Sequence, residues 1–116
     1  MYVMKLRSFL KGMKNEYQGN FMGWVAEDLL DSTEENDEDT LKHMENISLY
    51  GGSSGTITSL IYYHDIHKVF RNYFEDILEY LDDTDIVIID LTVDNLVWTC
   101  YELIVEKFIA AYEQLI

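Results

Sequence analysis

The residues from Asp65 to Leu81 repeat their apolar side chains at the spacing of an α-helix. Steps of three and four residues separate the apolar positions, and charged residues occupy much of the remaining surface. Such spacing places one apolar stripe on a helix that packs against a core. The stripe consists of Ile66, Val69, Phe70, Tyr73, Phe74, Ile77, Leu78 and Leu81. The pattern predicts one helix over 65–81. The chain contains no proline, the residue that most strongly interrupts a helix.

Helical spacing also predicts elements before this segment. We expect a basic amphipathic helix over 1–15, followed by a short second helix for which Asn20 is the N-cap. Asp39 or Thr40 is expected to cap a third short helix. Side chains of these types favour the position because their oxygen accepts a hydrogen bond from a free backbone N–H.

The second half of the chain adds three expectations. A helix is expected within 53–65, where Ile57, Leu60, Ile61 and His64 share one face despite the β-branched content of the segment. Asp94 is expected to cap a final helix that runs to Leu115. The Ile-Val-Ile-Ile run within 86–93 has β character but no partner strand, so this segment is expected to be short and extended or irregular. Apolar residues make up 48% of the chain, which is enough for one core. The sequence predicts an all-α fold, a single compact domain of four to six helices over 1–116.

Charge is unevenly distributed along the chain, whose net charge is −14. Four of the eight Lys and Arg residues precede position 15, and all 22 acidic residues follow it. The segment 31–39 reads DSTEENDED and has no apolar residue, so we expect an exposed acidic loop over 31–40. A surface this acidic serves solubility, tolerance of high salt or the binding of positively charged partners.

Two groups of carboxylates are the candidate partner-binding residues. If the fold brings them side by side, they form one anionic strip that fits the basic cleft of a nucleic-acid-binding protein. The first group comprises Glu27, Asp28, Asp31, Glu34, Glu35, Asp37, Glu38 and Asp39. The second comprises Glu75, Asp76, Glu79, Asp82, Asp83 and Asp85, with Asp90 and Asp94 beyond them.

The same acidity argues against direct binding of nucleic acid or of an anionic membrane surface, since both repel carboxylates. The longest aliphatic run, 86–89, is too short to span a bilayer. Cys100 is the single cysteine, and its apolar setting is typical of a small buried side chain in a reducing compartment. We therefore expect a soluble protein of the cytoplasm.

No pattern in the sequence specifies a catalytic or metal site. Residues 31–42 carry the alternate spacing of a calcium loop, yet Asn36 stands where the turn requires glycine and Lys42 where a bidentate Glu belongs. His64 and His67 are three residues apart, which suits a metal only if further ligands join them; two partly buried or surface histidines are the alternative. We expect no cofactor, no metal and no enzymatic activity.

A Ser-Gly turn followed by a Leu-Ile-Tyr-Tyr segment is the most specific motif in the chain. Ser54 and Gly55 precede Ser59 through Tyr63 by three residues, and Asp65 follows after one more. Further matches to the same pattern are Trp24-Val25, Asp28-Leu29, Phe70, Ile77, Asn95 through Trp98 and Tyr101-Glu102. In these features residues 24–112 resemble a family of short bacteriophage and prophage proteins. The acidic insertion at 31–46, and Gly52 where the family commonly has cysteine, depart from the pattern. The resemblance implies a phage origin and an all-helical fold, and it supplies no catalytic residue.

Two functions are consistent with these features. A phage protein of this size and charge is similar to inhibitors of restriction or CRISPR nucleases, several of which imitate nucleic acid. The first hypothesis is an acidic inhibitor of anti-CRISPR or anti-restriction type, which binds a basic host nucleic-acid-binding protein or nuclease complex in the host cytoplasm. The alternative is a non-enzymatic phage accessory or structural protein that self-associates through its helices. In the alternative, the basic residues Lys5, Arg7, Lys11 and Lys14 meet the acidic surface of another copy.

Overall fold

The computed structural model describes residues 5–50, 65–84 and 91–115. These residues form six helices and no strand, which confirms the all-α, single compact domain. In chain order the helices are α1 (Leu6–Glu16), α2 (Phe21–Asp31), α3 (Asp37–Tyr50), α4 (Ile66–Asn72), α5 (Phe74–Asp82) and α6 (Val93–Glu113). Residues 53–64 of the helix expected within 53–65 and residues 86–90 of the extended segment lie outside the described residues.

The long helix α6 is the centre of the domain and packs against each of the other five. Its buried residues recur at steps of three and four, which produces one continuous stripe. The stripe comprises Val97, Cys100, Tyr101, Ile104, Val105 and Phe108. Facing it are buried residues of α1 and α2, including Phe9, whose ring meets the ring of Phe108 edge to face at a centroid distance of 6.3 Å. Burial of this stripe and its partners supplies the main driving force for folding.

A tight turn brings α1 and α2 into close contact. Gly19 has a φ of 83°, a left-handed conformation that glycine adopts without strain. Gly23 in α2 faces the Tyr17 carbonyl so closely that a Cβ atom would collide with it. The two helices therefore approach at a point where only glycine fits, and the predicted N-cap Asn20 is confirmed beside it, accepting from the Met22 N–H at 2.9 Å.

The helix predicted over 65–81 is interrupted at Tyr73. This residue leaves helical geometry with φ −125° and ψ 27°, which separates α4 from α5. Its ring packs against Phe21 and Trp24 of α2, at centroid distances of 5.8 and 6.4 Å. The prediction of one continuous helix is therefore wrong at Tyr73. The apolar spacing of the segment gave no sign of this break, which coincides with aromatic contacts to α2.

The expected N-caps of two other helices are wrong. The helix α3 begins at Asp37, where the Asn36 side chain accepts from the Asp39 N–H at 2.7 Å. The connection between α2 and α3 is therefore 32–36, shorter than the acidic loop expected over 31–40. The final helix is capped by Thr92, with Asp94 inside the first turn. In both helices the carboxylates lie in the first turn, where the positive end of the helix dipole stabilises negative charge.

Candidate binding surfaces

Arg7 holds the connection between α2 and α3 in place. Its guanidinium donates to four oxygens, which are Thr33 Oγ1 (2.9 Å), the Glu34 carbonyl (3.0 Å), Thr40 Oγ1 (2.9 Å) and the Leu30 carbonyl (3.1 Å). The last carbonyls of a helix have no partner within the helix, so an arginine fork at this position stabilises the end of α2. Arg7 therefore has an internal structural role, contrary to its assignment to a basic surface.

Asp37 caps a helix other than its own. Its carboxylate accepts from the backbone N–H groups of Leu6 at 3.1 Å and Arg7 at 3.0 Å. Lys5, the residue at the N-cap position of α1, makes no side-chain capping bond. The partly buried Asp37 thus satisfies two donors of α1, and a basic partner protein would compete with those bonds for its oxygens.

Asp76 has the same kind of role at α2. It lies in the first turn of α5 and accepts from the Phe21 N–H at 3.0 Å. The Tyr80 hydroxyl, one turn later in α5, donates to Asn20 Oδ1 at 2.7 Å. The N-terminus of α2 is therefore fastened to α5 by two side chains, and Asp76 is a structural carboxylate.

Asp28 is buried, with 5% of its surface exposed. The Tyr101 hydroxyl donates to its Oδ2 at 2.8 Å, and burial is the main reason that the pKa of Tyr101 is raised well above its ordinary value. His43 lies near this pair; burial lowers its pKa, while the charges of Asp28 and Asp39 oppose that shift. His43 Nε2 is buried, and no residue within 5–50, 65–84 and 91–115 makes a hydrogen bond with it. The prediction that Asp28 belongs to a partner-binding surface is wrong, because this carboxylate faces the interior.

Two further carboxylates of the first group have partners within the chain. Glu27 is exposed and lies 3.9 Å from the Lys14 ammonium, the one ion pair among the residues that the structure describes. Asp39 accepts from the Glu34 N–H at 2.9 Å, which fixes the connection from its α3 side. An exposed ion pair at this distance contributes little, whereas the Asp39 bond helps to order the connection.

Most exposed carboxylates of the two predicted groups lie on two parts of the fold. The corner surface lies where α2 meets α3 and comprises Asp31, Glu34, Glu35 and Glu38. The α5 surface comprises Glu75, Glu79, Asp82 and Asp83. Asp76 fastens α5 to the N-terminus of α2, while the corner begins at the C-terminus of α2, about 15 Å away along the helix. That distance exceeds the roughly 8 Å over which charge is felt at physiological salt, so Asp76 at the start of α5 lies beyond the reach of the corner charges.

The remaining members of the second acidic group add little to the α5 surface. Asp85 and Asp90 lie outside the described residues, and the exposed Asp94 belongs to the first turn of α6.

A polar groove of about 630 Å³ runs beside the corner surface. Its lining includes Lys5, which precedes α1, Lys11 of α1, and the corner carboxylates Asp31 and Glu35. Lys5 and Lys11 are both exposed. The acidic corner therefore has a basic edge, which was not evident from the chain order of the charges.

No cluster of three or more His, Cys, Asp or Glu side chains suited to a metal ion occurs in 5–50, 65–84 and 91–115. Of the histidine pair, His67 is exposed on α4, and His64 lies outside the described residues. Among the helices formed by the described residues, none has both the length and the apolar character needed to cross a membrane. Cys100 is buried, and that burial raises the pKa of its thiol to about 12, so its chemistry is that of a protected side chain.

The features described so far define a class, a small all-α domain with a strongly acidic exterior. Residues 12–114 match the model of a protein family described as a domain of unknown function, DUF7222, and the chain belongs to that family. Comparison with curated proteins and with solved structures gave no match.

Proposed function

We propose that the protein is a non-enzymatic inhibitor that binds a basic, nucleic-acid-binding protein through the corner surface. One observation carries the proposal: the four corner carboxylates are exposed on a backbone that Arg7 and Asp39 hold in one conformation. A surface that is ordered before binding loses little conformational entropy when a partner binds. Exposed carboxylates also attract a basic partner from a distance and raise its association rate.

The α5 surface supports mimicry of nucleic acid as the mode of binding. Glu75, Glu79 and Asp82 follow one another at steps of four and three residues, so they share one face of α5. They span a rise of about 10 Å, which corresponds to about one carboxylate per 5 Å. Phosphates on one strand of duplex DNA follow at about 3.4 Å along the axis. A cleft that binds phosphates through Lys and Arg would meet charge of similar density on this helix.

The sequence resemblance to phage and prophage proteins gives this proposal its biological setting. A phage gains when it blocks a host nuclease or another defence protein that binds nucleic acid, and such a partner has the basic cleft that the acidic surfaces fit. The proposed inhibitor would act in the cytoplasm of the host cell.

Capture from host lysate, followed by competition, tests the proposal. The full chain is immobilised, captured proteins are identified, and duplex DNA or guide RNA is added to displace them. The proposal expects a nucleic-acid-binding partner, displacement by nucleic acid, and an affinity that falls steeply as salt increases. Capture that is insensitive to salt and to nucleic acid would contradict it.

Neutralising the corner surface provides the matched test. The triple variant Glu34→Gln, Glu35→Gln and Glu38→Gln removes three exposed carboxylates and leaves Asp37 and its capping bonds intact. The control variant Glu45→Gln, Glu106→Gln and Glu113→Gln removes the same number of exposed charges from α3 and α6. The proposal expects at least tenfold weaker binding for the corner variant than for the control. Equal losses would show that net charge, not the corner surface, determines binding.

The alternative function, an accessory protein that self-associates through its helices, is favoured by a different observation. Large apolar side chains are exposed on α5, where Phe74 is 47% and Leu78 40% accessible, and at the end of the chain, where Leu115 is 49% accessible. Exposed apolar side chains that lie one turn apart on a helix are typical of a contact surface. This observation concerns residues other than those of the corner surface.

A further inference from the structure

An apolar groove of about 400 Å³ lies between α1 and the C-terminal end of α6. Ser8 and Gly12 of α1 are among its lining residues, and Leu115 lies on its opposite side. Ser8 and Gly12 are both exposed, and a Cβ atom added at Gly12 would meet nothing within 4 Å. This face of α1 therefore combines small side chains with open space, which allows a large side chain of another helix to approach closely.

The exposed face of α5 has the complementary shape. Phe74 and Leu78 are one turn apart and project as two large apolar side chains. The Phe74 ring meets Phe70 edge to face at 5.3 Å, which helps to fix its position. Ser8 and Gly12 on α1 are also four residues apart, so the two large side chains match the two small ones in spacing.

Charge on the two helices matches in the same register. Lys11 and Lys14 are three residues apart on α1, and Glu79 and Asp82 are three residues apart on α5. If parallel helices are aligned with Gly12 opposite Leu78, Lys11 lies two residues from the level of Glu79. Lys14 then lies two residues from the level of Asp82. Lys14 is available because its ion pair with Glu27 is long and exposed and is easily exchanged for another.

The order of the stripes determines the relative direction of the two helices. Successive residues are rotated by about 100°, so the basic stripe precedes the small stripe on α1, and the apolar stripe precedes the acidic stripe on α5. When two parallel helices face each other, the order of stripes around one helix runs in the opposite direction to the order around the other across the contact. Basic residues then face acidic ones, and small residues face large ones. An antiparallel arrangement would place the lysines against Phe74 and Leu78.

We propose that the α1 face at Ser8 and Gly12 binds the α5 face of a second copy of this chain, with the two helices parallel. The two faces differ, so the contact is head to tail, and a pair of copies retains a free α5 face on one copy and a free α1 face on the other. Association therefore continues beyond a dimer into open chains or closed rings. The proposal gives the self-associating alternative a specific interface. It does not depend on the corner surface, but it uses Glu79 and Asp82 of the α5 surface, which nucleic-acid mimicry would also use.

Complementation between blocked copies tests the interface. Gly12→Gln fills the groove of the α1 face, and Leu78→Gln removes a large apolar side chain from the α5 face. The mass of the full chain is measured by sedimentation equilibrium from about 10 µM to about 1 mM. The wild type is expected to grow beyond a dimer, and each variant alone is expected to associate at least tenfold more weakly. Glu45→Gln, on an exposed position of α3, serves as the control and is expected to behave like the wild type.

The equimolar mixture of the two variants provides the sharpest result. The Gly12→Gln copy retains an intact α5 face, and the Leu78→Gln copy retains an intact α1 face. The mixture is therefore expected to form a one-to-one dimer that does not grow. A monomeric wild type, a mixture that remains monomeric, or continued association of the Gly12→Gln variant alone would overturn the proposal. Far-UV circular dichroism establishes that both variants are folded, and Gln is a better helix former than Gly at an exposed helical position.

The two proposals can fail separately. Loss of partner capture in the corner variant with unchanged self-association would support the inhibitor and leave the α1–α5 contact intact. Loss of association in Gly12→Gln with normal capture of the partner would support the α1–α5 contact and would show that capture does not require self-association.

Discussion

Replacing Asp37 with alanine removes the cap of α1 and leaves every carboxylate of the corner surface in place. The Asp37 carboxylate accepts two backbone hydrogen bonds, at 3.1 and 3.0 Å, from a helix whose own N-cap residue supplies none. The loss of a capping side chain destabilises a protein by roughly 0.5 to 2 kcal/mol, and each further buried hydrogen bond contributes about 1 kcal/mol. We expect Asp37→Ala to lower the free energy of unfolding by about 2 kcal/mol.

Urea denaturation followed by far-UV circular dichroism measures this change. For a domain of this size the melting temperature should also fall by roughly 8 °C. Asp37→Asn retains one acceptor oxygen, so about half of the loss is expected. Glu38→Ala is the matched control, because Glu38 is the next residue of α3, is exposed and should change stability by no more than about 0.5 kcal/mol.

A stability of Asp37→Ala within about 0.5 kcal/mol of the control would refute the capping role. The result also bears on partner binding. If Asp37→Ala is destabilised and still binds a basic partner with the affinity of the wild type, Asp37 belongs to the fold and not to the binding surface.

Four other predictions follow from buried contacts. Gly23→Ala should lower stability by roughly 1 to 3 kcal/mol despite the better helix propensity of alanine, because its Cβ collides with the Tyr17 carbonyl; a urea midpoint at or above that of the wild type would contradict this. Tyr101→Phe deprives buried Asp28 of a donor and should lower stability by about 1 to 3 kcal/mol in thermal unfolding, so an unchanged melting temperature would argue against that bond. Cys100, whose pKa burial raises to about 12 from an ordinary 9.0, should resist alkylation at pH 8 until urea unfolds the chain; rapid reaction of the native protein would show that the thiol is accessible. Since the unfolded thiol loses its proton first, stability present below pH 9 should decrease as the pH rises towards 12, and a flat profile in that range would refute the shift.

Local sequence patterns predicted the helices because their causes are local. Residues three and four positions apart share a helix face, so the stripe of α6 could be recognised from the spacing of its apolar residues. Asn20 was identified as an N-cap because its partner, the Met22 N–H, lies two residues away. The interruption at Tyr73 was missed because its contacts are with α2, about fifty residues earlier in the chain.

The roles of the carboxylates could not be predicted in the same way. Asp28, Asp37 and Asp76 accept hydrogen bonds from donors 73, 31 and 55 residues away, and for Asp37 and Asp76 those donors are backbone N–H groups, which every residue except proline possesses. A capping carboxylate and a free one are identical in the sequence. Arg7 was assigned to a basic surface because its four acceptors lie 23 to 33 residues away in the chain, too far for local spacing to indicate them.

The sequence by itself determined that this chain is helical, has one apolar core and carries a large excess of negative charge, because these properties depend on composition and on short-range periodicity. The tertiary structure decided which carboxylates face solvent, because hydrogen bonds between helices remove some of them from the exterior and cap helix ends with them. It also placed the start of α5 at the N-terminus of α2 and the corner surface at its C-terminus, so the length of α2 lies between Asp76 and the corner. It also left Ser8 and Gly12 exposed on α1 and Phe74 and Leu78 exposed on α5, because the buried faces of these helices pack against their neighbours.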